Sequence, residues 1–124
     1  MTSQPPTESA AGQDAIVLAL SSEAMGRGDD DLGRMLMRSH LHVLAEGPAK
    51  PDIIVMFNTA VRLAMHGSLA LDDLAALAAS GVKLLLCGTC VGYFELKDQV
   101  AIGTISNMHD ITEALLGAKK VISL

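Results

Sequence analysis

The chain has 124 residues, half of them hydrophobic, a formal net charge of −5, and Phe57, Tyr93 and Phe94 as its only aromatic residues. That length suits one domain around one aliphatic core. An acidic balance without a Lys/Arg cluster argues against phosphate-backbone binding, and no apolar stretch approaches the roughly 18 residues of a membrane span, so neither nucleic acid nor membrane is an expected partner.

Met1 to Gly12 carries no positive charge and no apolar segment, unlike a secretory signal. Its Ser, Thr, Pro and Gln content predicts a disordered tail over residues 1–13, ahead of a single domain over 14–124. Ala15 to Leu20 reads as a short, continuously apolar strand. Ser21 to Asp31, with Gly26, Gly28 and three successive aspartates, reads as a loop ending in helix N-cap residues. A helix from about Asp31 to Glu46 follows, with Leu32, Met35, Leu36, Leu41 and Leu44 at helical spacing. Gly47-Pro48 stops it, and Pro51 opens a second strand, Asp52 to Phe57.

Asn58 to Leu63 predicts a loop plus a helical turn, and Gly67-Ser68 caps a helix from about Leu69 to Ala79. Gly81 stops that helix before Val82 to Leu86, a third strand ending at Cys87. Val100 to Ile102 predicts a brief fourth strand. Asn107 caps a final helix, Met108 to Leu116, with Asp110 in its first turn, and Lys119 to Leu124 closes as a fifth strand. Apolar strands alternating with helices imply an α/β fold: a mostly parallel five-stranded sheet with helices on both faces. Ligands of such sheets bind beyond the carboxyl ends of the strands, where Ser21 to Gly28, Asn58 to Arg62 and Cys87 to Tyr93 all fall.

Cys87-Gly88-Thr89-Cys90 holds the only two cysteines. Two thiols so spaced make no secreted disulfide framework, which places the chain in a reducing cytoplasm. A cysteine at a strand-to-helix junction is expected to be exposed and activated, because helix-terminal amides favour the thiolate. Gly88 lets the backbone turn, so that the second thiol reaches the first. Three chemistries compete: a redox dithiol, a structural zinc and a sulfur relay. The zinc lacks its second ligand pair, with His109 expected to lie exposed at a helix start. All four prolines precede the motif, so the proline that faces a thioredoxin-like site is missing. Asn58 and Arg62 are ligand-binding candidates beside Gly88 and Thr89; for Asn58 the commoner job is turn-making, and for Arg62 a solvated helical turn.

Other motifs point to no cofactor and no metal. Gly26-Arg27-Gly28 and Gly33-Arg34 lack the Lys-Ser/Thr of a P-loop and the third glycine of a dinucleotide fingerprint. His40 and His42, two apart on one helix, cannot face one ligand together and read as surface or interface residues. His66 reads as a helix-end histidine. The methionines serve as core and interface filler.

Leu86 to Cys90, with Tyr93 to Leu96, Gly103 to Met108 and Asp110-Ile111, resembles the carboxy-terminal domain of YedF-type proteins in the DsrE-like sulfur-relay superfamily. Leu32 to Met37, Val61 to Ala64 and Gly67-Ser68 also fit, so the likeness runs from about Asp14 to Leu124. It implies a DsrE-like fold, homo-oligomers, and sulfur transfer or a link to selenium metabolism. It gives Cys87 the role of persulfide carrier, and Cys90 matches the YedF-type motif. The chain lacks the amino-terminal sulfur-carrier domain with its Cys-Pro motif, so a separate donor or acceptor protein is expected. Asn58-Thr59-Ala60 stands where relatives have a glycine-richer turn. The expected function is sulfane-sulfur relay through Cys87, in the manner of a sulfurtransferase. A non-catalytic oligomeric scaffold and a Cys87/Cys90 redox dithiol are the alternatives.

Overall fold

In the computed structural model, which describes residues 14–124, the apolar runs pair as parallel strands: β1 (Ile16–Leu20), β2 (Ile53–Met56), β3 (Lys83–Cys87), β4 (Thr104–Ser106) and β5 (Lys120–Ser123). The tail expected over residues 1–13 lies outside the described residues. Strand order is β4-β3-β2-β1-β5. Parallel pairing demands crossovers, and helices supply them: α1 (Asp30–Glu46), a 3-10 helix (Asn58–Ala64) with α2 (Leu71–Ala79), α3 (Gly88–Tyr93), and α4 (Met108–Gly117). A single α/β domain results, with the five-stranded sheet expected from the apolar runs.

Side chains alternate across the sheet. Leu18, Leu20, Ile54, Met56, Leu84 and Leu86 form one core with Met37 and Leu41 of α1, Val61 of the 3-10 helix, and Leu74 and Leu77 of α2. Val17, Ala19, Ile53, Val55 and Cys87 form the other, beneath Ile111 and Ala114 of α4. Both faces are therefore covered, which is why the strands are apolar along their length.

The local signals act where expected. Asp29 caps α1 by accepting from the Leu32 N–H at 2.8 Å, and Asn107 caps α4 by accepting from the Asp110 N–H at 2.8 Å. Gly81, at φ +105°, turns the chain from α2 into β3. The brief fourth strand is displaced. Val100 forms an isolated antiparallel bridge with Met65, the Ala101 and Ile102 N–H groups donate to the Ala64 carbonyl, and β4 begins after Gly103. The reason is tertiary: Val100 to Ile102 meets the end of the 3-10 helix, whereas Thr104 to Ser106 lies alongside Leu85 to Cys87.

The two histidines of α1 part company. His42 is exposed and meets Asp73 of α2 at 3.0 Å, linking the two helices. His40, expected at the surface or an interface, is half-buried beside the sheet with its Nε2 buried and unpartnered, and burial lowers its pKa. Hydrogen bonding to Asp73, followed by its charge, raises the His42 pKa. Folding therefore favours His42 protonation. Its contribution is full below the ordinary imidazole value of about 6.5 and fades as pH rises through the raised folded value. Thermal denaturation of wild type and His42→Asn from pH 5.5 to 8.5 should show the largest wild-type advantage at the acid end and a shrinking one toward pH 8.5.

Candidate functional site

β3 runs into α3 without an intervening loop: Cys87 is the last residue of the strand and Gly88 the first of the helix. Such a direct junction brings the helix start against the neighbouring strand. A Cβ on Gly88 would lie 2.7 Å from the Ser106 carbonyl oxygen of β4, so only glycine fits without moving backbone. Cys87 therefore keeps the pleat of the sheet and points into the core under α4. Cys90, one helical turn on, emerges at the carboxyl edge of the sheet.

This placement corrects the expected exposure of Cys87. Its side chain is 0 % exposed, within the apolar cluster that includes Val55, Ile111 and Ala114 beneath α4. It caps α3, yet its sulfur accepts no hydrogen bond from the first turn of that helix. The amide directed at a sulfur is elsewhere. Asn58 donates its backbone N–H to Cys90 Sγ at 3.0 Å, and Cys90 is half-buried.

Asn58 makes that contact from the left-handed region, at φ +54°. A residue with a Cβ pays about 1–2 kcal/mol there, and asparagine is among the few that tolerate it. Its turn-making role and its part in the site are thus one feature. Desolvation raises the Cys90 pKa, the Asn58 amide opposes that shift, and the neighbouring Cys87 sulfur adds to the rise.

The three loops expected at the carboxyl edge do converge. The Glu23 N–H, in the loop after β1, donates to Thr59 Oγ1 at 3.2 Å. Arg62 Nη1 lies 3.1 Å from Glu23 Oε2. The Arg62 guanidinium also sits 4.6 Å above the Phe94 ring, which meets Tyr93 edge-on at 5.2 Å. Arg62 is thus held by a carboxylate and an aromatic face, away from either cysteine. Of the remaining sequence candidates, Thr89 is exposed on α3, and half-buried Gly88 is occupied by its close approach to β4.

His109, expected to be exposed at a helix start, is so, and its Nε2 lies 3.5 Å from Glu113 of the next turn. With Asp110 these form the one cluster of three potential metal ligands among the described residues, all of them exposed. The sequence reading missed Glu23, Arg34 and Phe94 as neighbours of Arg62. Glu23 and Arg62 are 39 residues apart, so no local pattern joins them.

The sequence profile of the DsrE/DsrF-like family matches residues 1–124. The chain belongs to the DsrE/DsrF-like family. The family is associated in general with sulfur relay. The structure is similar to that of the YchN protein from E. coli, with a TM-score of 0.68 and 18 % identity over 90 % of this chain and 99 % of that one. It is similar also to MTH1491 from Methanobacterium thermoautotrophicum, a protein of unknown function, with a TM-score of 0.63 and 16 % identity over 90 % of this chain and 99 % of that one. At such identities these neighbours establish the shared α/β fold. No curated protein sequence matches the chain.

Within this DsrE/DsrF-like domain, Asn58 should be replaceable by glycine with little loss of stability, because the left-handed backbone and its amide are retained. Asn58→Ala should cost about 1–2 kcal/mol in urea denaturation. It should also slow Cys90 alkylation by iodoacetamide at fixed pH, as the amide drifts from the sulfur.

Proposed function

We propose that the chain accepts sulfane sulfur at the Cys87/Cys90 pair and passes it to a partner thiol, with Cys90 the sulfur that meets donor and acceptor. The observation carrying this is the Asn58 amide on Cys90 Sγ at 3.0 Å, beside a Cys87 that has no exposure. Family membership supports relay in general; the geometry favours Cys90 over Cys87 as the entry point. A persulfide on Cys87 would have to lie in the apolar layer beneath α4, the cluster of Val55, Ile111 and Ala114.

In the uptake step, the Cys90 thiolate attacks the outer sulfur of a donor persulfide. One S–S bond forms at Cys90, the donor's S–S bond breaks, and its electron pair leaves on the donor thiolate. The outer sulfur keeps its proton. The Asn58 N–H steadies negative charge at Cys90 before the attack and again when Cys90 becomes the leaving group.

Delivery follows either of two courses. An acceptor thiolate attacks the outer sulfur and restores the Cys90 thiolate. Alternatively, the Cys87 thiolate attacks Cys90 Sγ, giving a Cys87–Cys90 disulfide and hydrosulfide, and a thiol reductant then reopens the disulfide. The second course makes Cys87 the resolving thiol and explains why a buried cysteine stands within reach of an accessible one. The family resemblance extends the same chemistry to selenium as cargo and to a separate carrier protein as donor or acceptor.

Intact mass after incubation with a persulfide donor tests the assignment. Wild type should gain one sulfur, Cys90→Ser should not, and Cys87→Ser should gain it while releasing hydrosulfide several-fold more slowly. Gain undiminished in Cys90→Ser, or none in wild type, would reject it.

The same reading includes self-association. On α1, Leu32, Met35, Leu36 and Val43 form a stripe on the face away from the sheet, exposed by 52 %, 62 %, 44 % and 64 %. An apolar helix face left in water is a contact surface in search of a partner, and a second copy of the chain is the occupant we infer. Light scattering coupled to gel filtration should give an oligomer for wild type and a smaller species for Leu32→Glu/Val43→Glu. Unchanged mass in that variant would place the contact elsewhere.

A further inference from the structure

Three of the chain's four arginines, in a molecule of net charge −5, line one cavity of about 220 Å³. Arg34 and Arg38 come from α1 and Arg62 from the 3-10 helix, with Glu23, Ser68 and Leu69 completing the wall. Glu23 is the only acidic residue of that lining. It meets Arg62 at 3.1 Å and Arg34 at 4.0 Å, while Asp31 takes Arg34 at 3.0 Å. Among the described residues, Arg38 has no carboxylate within ion-pair distance. Asp73, which shares an adjoining hollow with Arg38, is engaged by His42.

An acidic chain gains nothing in solubility from gathering its guanidiniums, and like charges lining one cavity repel unless an anion sits among them. One carboxylate divides itself between Arg34 and Arg62, and Arg38 is left over. We infer that this cavity is an oxyanion-binding subsite, with Glu23 as the internal stand-in that holds Arg34 and Arg62 in position. The volume falls below the roughly 300–1,000 Å³ of pockets for drug-sized ligands. It admits a tetrahedral or carboxylate oxyanion group and not a nucleotide. Guanidinium forks match such groups in geometry as well as charge.

The subsite and the thiol pair share their supports. Arg62 rests on Phe94, whose N–H donates to the Cys90 carbonyl, and the segment that carries Arg62 begins at Asn58, the residue on Cys90 Sγ. Resting on sulfur relay as the function, the subsite would hold the anionic end of a small donor or acceptor while its sulfur meets Cys90.

The test needs no sulfur transfer, so its failure is separable from failure of the relay. Titrating inorganic sulfate into the full chain should move amide resonances of Glu23, Arg34, Arg38, Arg62 and Leu69 along one saturable curve. Arg38→Gln should weaken that binding by about fivefold or more and Arg38→Lys by less, since the charge persists without the fork. Glu23→Gln should tighten it several-fold by removing the competing carboxylate. A second readout compares alkylation of Cys90 by anionic iodoacetate and neutral iodoacetamide. The iodoacetate-to-iodoacetamide rate ratio should fall in Arg38→Gln, and sulfate should slow iodoacetate alone. Sulfate shifts scattered over the surface without saturation, or an Arg38→Gln titration identical to wild type, would overturn the subsite. An unchanged rate ratio would overturn its tie to the thiol.

Discussion

A strand that becomes a helix without a loop leaves its last residue no choice of direction. At the β3–α3 junction the pleat sends Cys87 into the core under α4, and the helical turn that follows carries Cys90 back toward solvent. The junction is possible because Gly88 has no Cβ to meet the Ser106 carbonyl at 2.7 Å. Two sulfurs three residues apart thereby acquire different environments, one dry and one wet. That division is what the chemistry of the site rests on.

The neighbouring loops are built around the same edge. Asn58 aims its amide at Cys90 from a left-handed backbone that costs most residues about 1–2 kcal/mol, and such a conformation is held where surrounding structure enforces it. The enforcement comes from the 3-10 helix behind it, whose Ala60, Val61 and Ala64 are fully buried. Arg62, on the exposed side of that helix, ties the loop after β1 to the end of α3 through Glu23 and Phe94. The thiol, the amide and the Arg62 guanidinium are therefore carried by segments that meet at one edge of the sheet.

Burial and charge at the pair work in opposite senses. Desolvation keeps the Cys90 proton on, the Asn58 amide favours its release, and Cys87 resists a second charge nearby. In the proposed relay the same sulfur serves as nucleophile in one step and as leaving group in the next. A lone activated cysteine would do the first well and lack a resolving partner for the second.

Much of the fold was legible because it is written in local terms: apolar runs for strands buried on both faces, Asp29 and Asn107 at helix starts, Gly81 before β3. The carboxyl edge as the meeting place of three loops follows from that pattern, since parallel strands all end on the same side. The tertiary structure alone decided which cysteine is reachable, because exposure depends on α4, later in the chain, packing against the face of β3 that carries Cys87. It also moved the fourth strand to Thr104–Ser106, which lies alongside Leu85 to Cys87 while Val100 to Ile102 meets the end of the 3-10 helix. Glu23 among the arginines was equally out of reach, an ion pair spanning 39 residues that only the closed sheet brings together. Periodicity records what each segment buries, and long-range packing determines which side chain remains open to chemistry.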